Sequence, residues 1–183
     1  MSEIDRLLAR YADAIEIPWA TARADTERTL FVIYDRSKER QLRFHFDDFQ
    51  IRTEKAGKKW LALDVTDAFP TWFSGHPYRD EYFEFPNDQP GYADGQLDEF
   101  ENKLVNELQG RIQAEADGET AVAVLGAGSI FGFARVSSIM KRLAAIVPGR
   151  LVVFFPGEKI DNNYRLLGAR DGWDYLATAI TAD

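Results

Sequence analysis

The sequence predicts a three-layer α/β fold: a mostly parallel sheet of about four to six strands with helices on both faces. Three observations predict it. Residues 30–34, 120–125 and 151–155 are short apolar runs without alternation, as strands buried on both faces require. Amphipathic helical stretches separate them. Each run stops at an Asp, Gly or Pro that suits a turn.

The elements follow in order. Ser2 is placed to cap a first helix, in which Ile4, Leu7, Leu8, Tyr11 and Ile15 recur at helical spacing until Pro18. The strand at 30–34 comes next. Ser37 caps a second helix running to about Ala56, with Leu42, Phe46, Phe49 and Thr53 inward and Gly57 just past its end. Residues 60–65 form a second strand, and 66–73 a short helix broken by Pro70. Residues 74–95 hold no period and are crowded with Pro, Gly, acids and aromatics, so they read as a long, protein-facing loop. A long helix follows, with Leu97, Phe100, Leu104, Leu108 and Ile112 inward and Asp98, Glu99, Glu101 and Glu107 outward. After the strand at 120–125 and a glycine loop, a helix to Val147 buries Val136, Ile139, Met140 and Leu143. The strand at 151–155 is ended by Pro156-Gly157. Residues 164–167 and 175–180 form shorter strands around a turn at 170–173. No repeat and no dividing linker occurs, so residues 1–183 form a single α/β domain.

Composition narrows the function. With 183 residues, 45% hydrophobic and 28% charged, the chain can bury a real core. The absence of cysteine excludes a disulfide framework, a thiol nucleophile and any thiolate metal site. The charged, amphipathic N-terminus is unlike a signal peptide, and a cytoplasmic location without membrane contact is expected. The net charge of -8 does not steer the chain toward phosphate backbones. The charge is uneven, however: residues 121–170 hold seven basic and two acidic residues. Such asymmetry marks either a binding face or a surface whose signs interleave in space, and the second reading is preferred.

In open α/β sheets, ligands bind beyond the carboxyl ends of the strands. Four features fall there: Tyr34-Asp35, Asp64 with Thr66 and Asp67, the loop 126–132, and Pro156-Gly157-Glu158. The strand–loop–helix arrangement around Gly126, Gly128 and Gly132 has the layout of a phosphate-binding loop, Rossmann-like or degenerate P-loop-like. It lacks the Lys-Ser/Thr pair that holds phosphate and metal, and its spacing misses the dinucleotide fingerprint. Its backbone amides can still take an anion. Ile130, Phe131 and Phe133 argue instead for packing or a partner contact. Ser129 reads as the N-cap of the following helix. Asp35 and Asp64 can pair over a metal or in acid/base work, but with no third ligand specified they read better as caps. His45 and His76 belong to no metal-ligand spacing. Arg135, Ser138 and Arg142 share one helix face. The aromatics of 78–92, Tyr82 and Phe83 among them, are interleaved with acids, which suits protein better than nucleic acid. Trp173, beside Arg170 and Asp171, is either a surface contact or core.

Several stretches carry a resemblance. They are VAVLGAGSIF at 122–131 with Arg135 and Ser138, LVVFFPG at 151–157, YRLL at 164–167 and RDGWDYL at 170–176; in front stand LFVIYD at 30–35 and LDVTDAF at 63–69. Together, in order and over nearly the whole chain, they resemble the BrxB proteins of BREX phage-defence systems. The resemblance implies a bacterial or archaeal accessory subunit, with the PglZ-type phosphatase-like protein and other BREX subunits as partners. DNA would be reached only indirectly, through the complex. It carries over no catalytic residue, cofactor or metal, so no enzymatic activity is expected. The expected contact or anion-binding residues are Gly126, Gly128, Ser129, Arg135, Arg142, Arg165, Arg170, Asp171, Trp173, Tyr82 and Phe83. A degenerate nucleotide-binding domain, or a subunit that weakly contacts nucleic acid, is the alternative.

Overall fold

The computed structural model describes residues 1–19, 24, 28–85, 95–161, 163–168 and 177–183. The first helix, α1 (Glu3–Glu16), opens with a full capping box: the Ser2 side chain accepts from the Asp5 N–H, and Asp5 returns the bond to Ser2. Its stripe Ile4, Leu7, Tyr11 and Ile15 is buried. β1 (Thr29–Tyr34) is buried at every position, as an unalternating apolar run predicts.

The second helix is not continuous. Asp35, not Ser37, caps a 3-10 turn at Arg36–Lys38, and α2 (Glu39–Phe44) gives way to α3 (Phe46–Lys55) at His45. There the backbone leaves helical geometry (φ -98°, ψ 9°). The break aims the two helices separately. Leu42 reaches the core, while Phe46 packs its ring edge on Trp60 and Phe154.

β2 (Lys59–Asp64) leads to α4 (Ala68–Ser74). Pro70 does not break that helix. It sits in the first turn, where the N–H it lacks would have had no intrahelical partner. The expected loop at 74–95 contains a further helix, α5 (Arg79–Glu84). α6 (Gln96–Glu115) is the long amphipathic helix. Phe100, Leu104, Leu108 and Ile112 are buried, and so, against expectation, is Glu101.

β3 (Thr120–Leu125) runs into a 3-10 turn at Ala127–Ser129, so Ser129 caps no helix. α7 (Val136–Ala144) starts seven positions later, with Arg135 at its N-cap. β4 (Arg150–Ile160) runs straight through Pro156-Gly157 and turns back as β5 (Asn163–Leu166). The Pro-Gly pair is where β4 changes neighbours. Pro156 closes the parallel ladder opposite Tyr34, and Gly157 opens the antiparallel one opposite Leu166. A Cβ on Gly157 would lie 2.1 Å from the Arg165 carbonyl oxygen, so only glycine admits the returning strand. β6 (Thr178–Ile180) completes the sheet.

The strand order is β2-β3-β4-β1-β6, all parallel, with β5 off β4. α1 and α3 cover one face around Leu30, Val32, Ala123 and Phe154. α4, α6 and α7 cover the other around Phe31, Val124, Val153 and Phe155. This is the expected three-layer architecture. β1 leads into α2 and α3 on one face, while β5, which follows β4, packs on the other, so the carboxyl ends of these adjacent strands form the switch point of the sheet.

Candidate functional site

Two concavities result from this topology. The first lies at the switch point. Three of the four strand-end features contribute to one crevice of about 390 Å³, through Thr66, Gly128, Ser129 and Pro156, which Arg36, Glu39, Arg43 and Leu167 complete. Tyr34 reaches it only through Glu39, Asp35 stands outside its lining, and Asp67 lines the second concavity.

Its polar groups are largely committed to one another. Asp35 accepts from the Ser37 N–H at 2.7 Å, and those Ser37 bonds hold its carboxyl below the usual range. Asp64 accepts from both the N–H and the hydroxyl of Thr66. Each acid therefore caps its own turn. Tyr34 donates its hydroxyl to Glu39; burial, then that hydrogen bond and the Glu39 charge, pushes the phenol far up. Arg43 spans the crevice: its Nε donates to Glu39 at 2.7 Å, its Nη2 to the Thr66 hydroxyl at 2.8 Å, and its Nη1 lies 3.7 Å from Asp64. Arg36 donates to the Leu167 carbonyl at 3.0 Å. Sequence reasoning missed this Tyr34–Glu39–Arg43–Thr66–Asp64 chain. Its one legible signal was the Glu39/Arg43 spacing of four in a helix after a strand.

Gly126 and Gly128 approach protein closely, although Gly128 and Ser129 also border the crevice. A Cβ on Gly126 would meet the Thr66 hydroxyl at 2.5 Å, and one on Gly128 would meet the Pro156 ring at 3.2 Å. These glycines admit neighbouring side chains where a phosphate loop admits phosphate. Arg135, Ser138 and Arg142 do share a face, and it is turned to α6. Arg135 binds Glu101 and Asp98, Ser138 binds Glu101, and Arg142 binds Asn102 at 2.9 Å. Arg150 is buried, donating to the Ala14 and Ile17 carbonyls. Arg165 lies on β5, across from Glu158. The basic stretch is thus dispersed over several elements. Arg170, Asp171 and Trp173 lie outside the described residues, as do residues 86–92 of the predicted aromatic loop.

The second concavity was not anticipated. A groove of about 540 Å³ runs between α4 and α6 past the end of β2, on an apolar floor that includes Leu63, Trp72, Phe100, Leu104 and Leu108. At one end it meets an aromatic shelf built by α4 and α5. Trp72 contacts His76, and His76 contacts Tyr78 and Tyr82. Phe73 contacts Tyr82 and Phe83, while Phe69 stacks on Phe133 at 3.8 Å. Of the two aromatics named from sequence, Tyr82 is buried inside the shelf, and Phe83 stands on it 71% exposed. Tyr78, Phe85, Phe131 and Phe133 are also exposed. The spacing of Phe69 and Phe73 on α4, with His76 just past its end, was the available signal; it was obscured by reading 74–95 as irregular.

Compared with protein-family models, curated proteins and solved structures, the chain gives no match. Among the described residues no group of three or more metal-ligating side chains occurs, and no helix is long and apolar enough to cross a membrane.

Proposed function

We propose that this chain is a non-enzymatic accessory subunit that docks on the other subunits of a BREX-type phage-defence assembly, with the PglZ-type protein as its first partner. The observation that carries this reading is the aromatic shelf. Phe83, Phe85, Tyr78 and Phe133 present large apolar side chains to solvent around one pair of short helices. Clustered exposed aromatics of this kind mark protein contact surfaces. The resemblance to BrxB supplies the biological setting. The self-satisfied polar chain at the carboxyl edge supports it further, because the place where such folds bind ligands has turned its charges on itself.

One observation favours a second reading, a degenerate nucleotide site: the 390 Å³ crevice lies at the switch point with two arginines on its wall. The close packing at Gly126 and Gly128 weighs against it.

The test is co-purification of the tagged chain with its neighbouring defence proteins, at low and moderate salt, with and without nuclease. A stoichiometric subunit that survives both salt and nuclease is the expected result. Retention of nothing, or retention lost with nuclease, overturns the adaptor reading.

A further inference from the structure

The groove beside the aromatic shelf has a charge that its apolar floor does not require. Glu99, Lys103, Glu107 and Arg111 recur along α6 at steps of four and form one wall; Asp67 stands on the other. Arg111 lines the groove with its guanidinium engaged, by Glu115 at 3.0 Å and by the Ala62 carbonyl at 3.4 Å. Among the described residues, Asp67, Glu99 and Glu107 make no ion pair. Of the two cations in the lining, Lys103 likewise makes no ion pair among the described residues. The shelf continues the sign with Glu81 and Glu84 exposed on α5, where Arg79 is held by Asp80. The rim of this apolar trough is therefore mixed but acidic in balance: Asp67, Glu99 and Glu107 face one lysine, and the Arg111 charge is matched by Glu115.

We propose that this groove takes a segment of a partner protein in which apolar anchors are flanked by lysines or arginines. The inference rests on the adaptor reading and names the chemistry of its partner. The apolar anchors enter over Trp72 and Leu104, and the cations meet Asp67, Glu99 and Glu107. Charge complementarity of this kind sets partner choice and approach rate. Nucleic acid is disfavoured by the same rim, because its phosphates would meet carboxylates. Docking is by side chains. On the free edge of β2 the Ala62 carbonyl is already taken by Arg111, which leaves a poorer template for an added strand.

The experiment uses the full chain and a defined probe. The probe is an amphipathic Lys/Leu peptide of about 12 residues, three helical turns, set against a Glu/Leu peptide of the same length and a DNA duplex of similar size. Amide NMR shifts locate binding, and titration gives affinity. The expected result is shifts confined to α4, α5 and the groove-facing side of α6 with the Lys/Leu peptide alone. Glu99→Gln/Glu107→Gln should weaken that binding about tenfold, while Asp13→Asn/Glu16→Gln on the opposite face of the sheet should leave it unchanged. Shifts spread over the surface, equal weakening by both double variants, or groove shifts with the Glu/Leu peptide or DNA would overturn the proposal. Failure here with successful co-purification would leave the adaptor reading standing with another surface. Success here with failed co-purification would leave the groove without a BREX partner.

Discussion

Arg135 binds one carboxylate oxygen of Glu101 twice: its backbone N–H (2.9 Å) and its Nε (3.3 Å) both donate to Oε2. The Glu101 side chain is only 4% exposed. The pair does what a capping side chain would do for α7, because the Arg135 side chain makes no cap and a carboxylate beside a helix N-terminus is favourable. Glu101→Ala is therefore expected to cost about 2 kcal/mol, and Glu101→Gln about 1 kcal/mol, in urea denaturation. The pH dependence has a defined sign. Burial opposes ionisation of Glu101, but hydrogen bonds from the Arg135 backbone, Ser138 and the Arg135 side chain outweigh it and lower the pKa from 4.5. A lowered carboxyl stabilises the fold above its unfolded pKa, and that contribution is lost as pH falls through the folded value. Glu101→Gln should thus differ most from wild type at neutral pH and converge on it in acid. A difference that grows in acid would contradict this assignment.

Gly126 and Gly132 share a φ of 89° but differ in what a side chain would meet. At Gly126 a Cβ would strike the Thr66 backbone nitrogen at 2.7 Å; at Gly132 nothing lies within 4 Å. Gly132→Ala should cost about 1 kcal/mol, the backbone penalty alone. Gly126→Ala should cost about 3 kcal/mol, since Thr66 and with it the Arg43 bond must shift. Equal melting temperatures for the two variants would show that the close approach is not real.

The architecture was legible because its strongest signals are periodic. Unalternating strands and the stripes of α1, α6 and α7 are local patterns that tertiary contacts reinforce. What escaped was non-local. Glu101 sits among outward acids in sequence, and only the placement of α7 beside α6 makes it interior. Pro156-Gly157 has the composition of a stop signal, yet here it marks a change of strand partner. The groove escaped for the same reason: its walls come from α4 and α6, whose separate patterns do not reveal the gap between them.

Arg150 reaches from the start of β4 to the far end of α1. It donates to the Ala14 and Ile17 carbonyls at 2.7 and 3.1 Å, and its guanidinium lies over the Trp19 ring at 5.0 Å. The last carbonyls of a helix have no intrahelical donors, and a forked guanidinium serves two at once where a lysine ammonium cannot hold the same geometry. Arg150→Lys is expected to cost about 2 kcal/mol and to speed amide exchange at the end of α1. Unchanged exchange there would place the role of Arg150 elsewhere.

Phe83 separates docking from folding. It is 71% exposed and touches the shelf through Phe73 at 5.6 Å, so Phe83→Ser should change stability by no more than about 0.5 kcal/mol. An aromatic anchor at the centre of an interface commonly contributes 2 kcal/mol or more, roughly a thirtyfold loss of affinity on truncation. Phe83→Ser should therefore lose the co-purifying subunit while melting as wild type does. Phe44 is the matched control: at 84% exposed it is equally apolar, and it stands on α2, on the other face of the sheet. Phe44→Ser should retain the partner. If the two variants exchange behaviours, the docking surface lies beside α2, and the shelf is an exposed patch without a contact role.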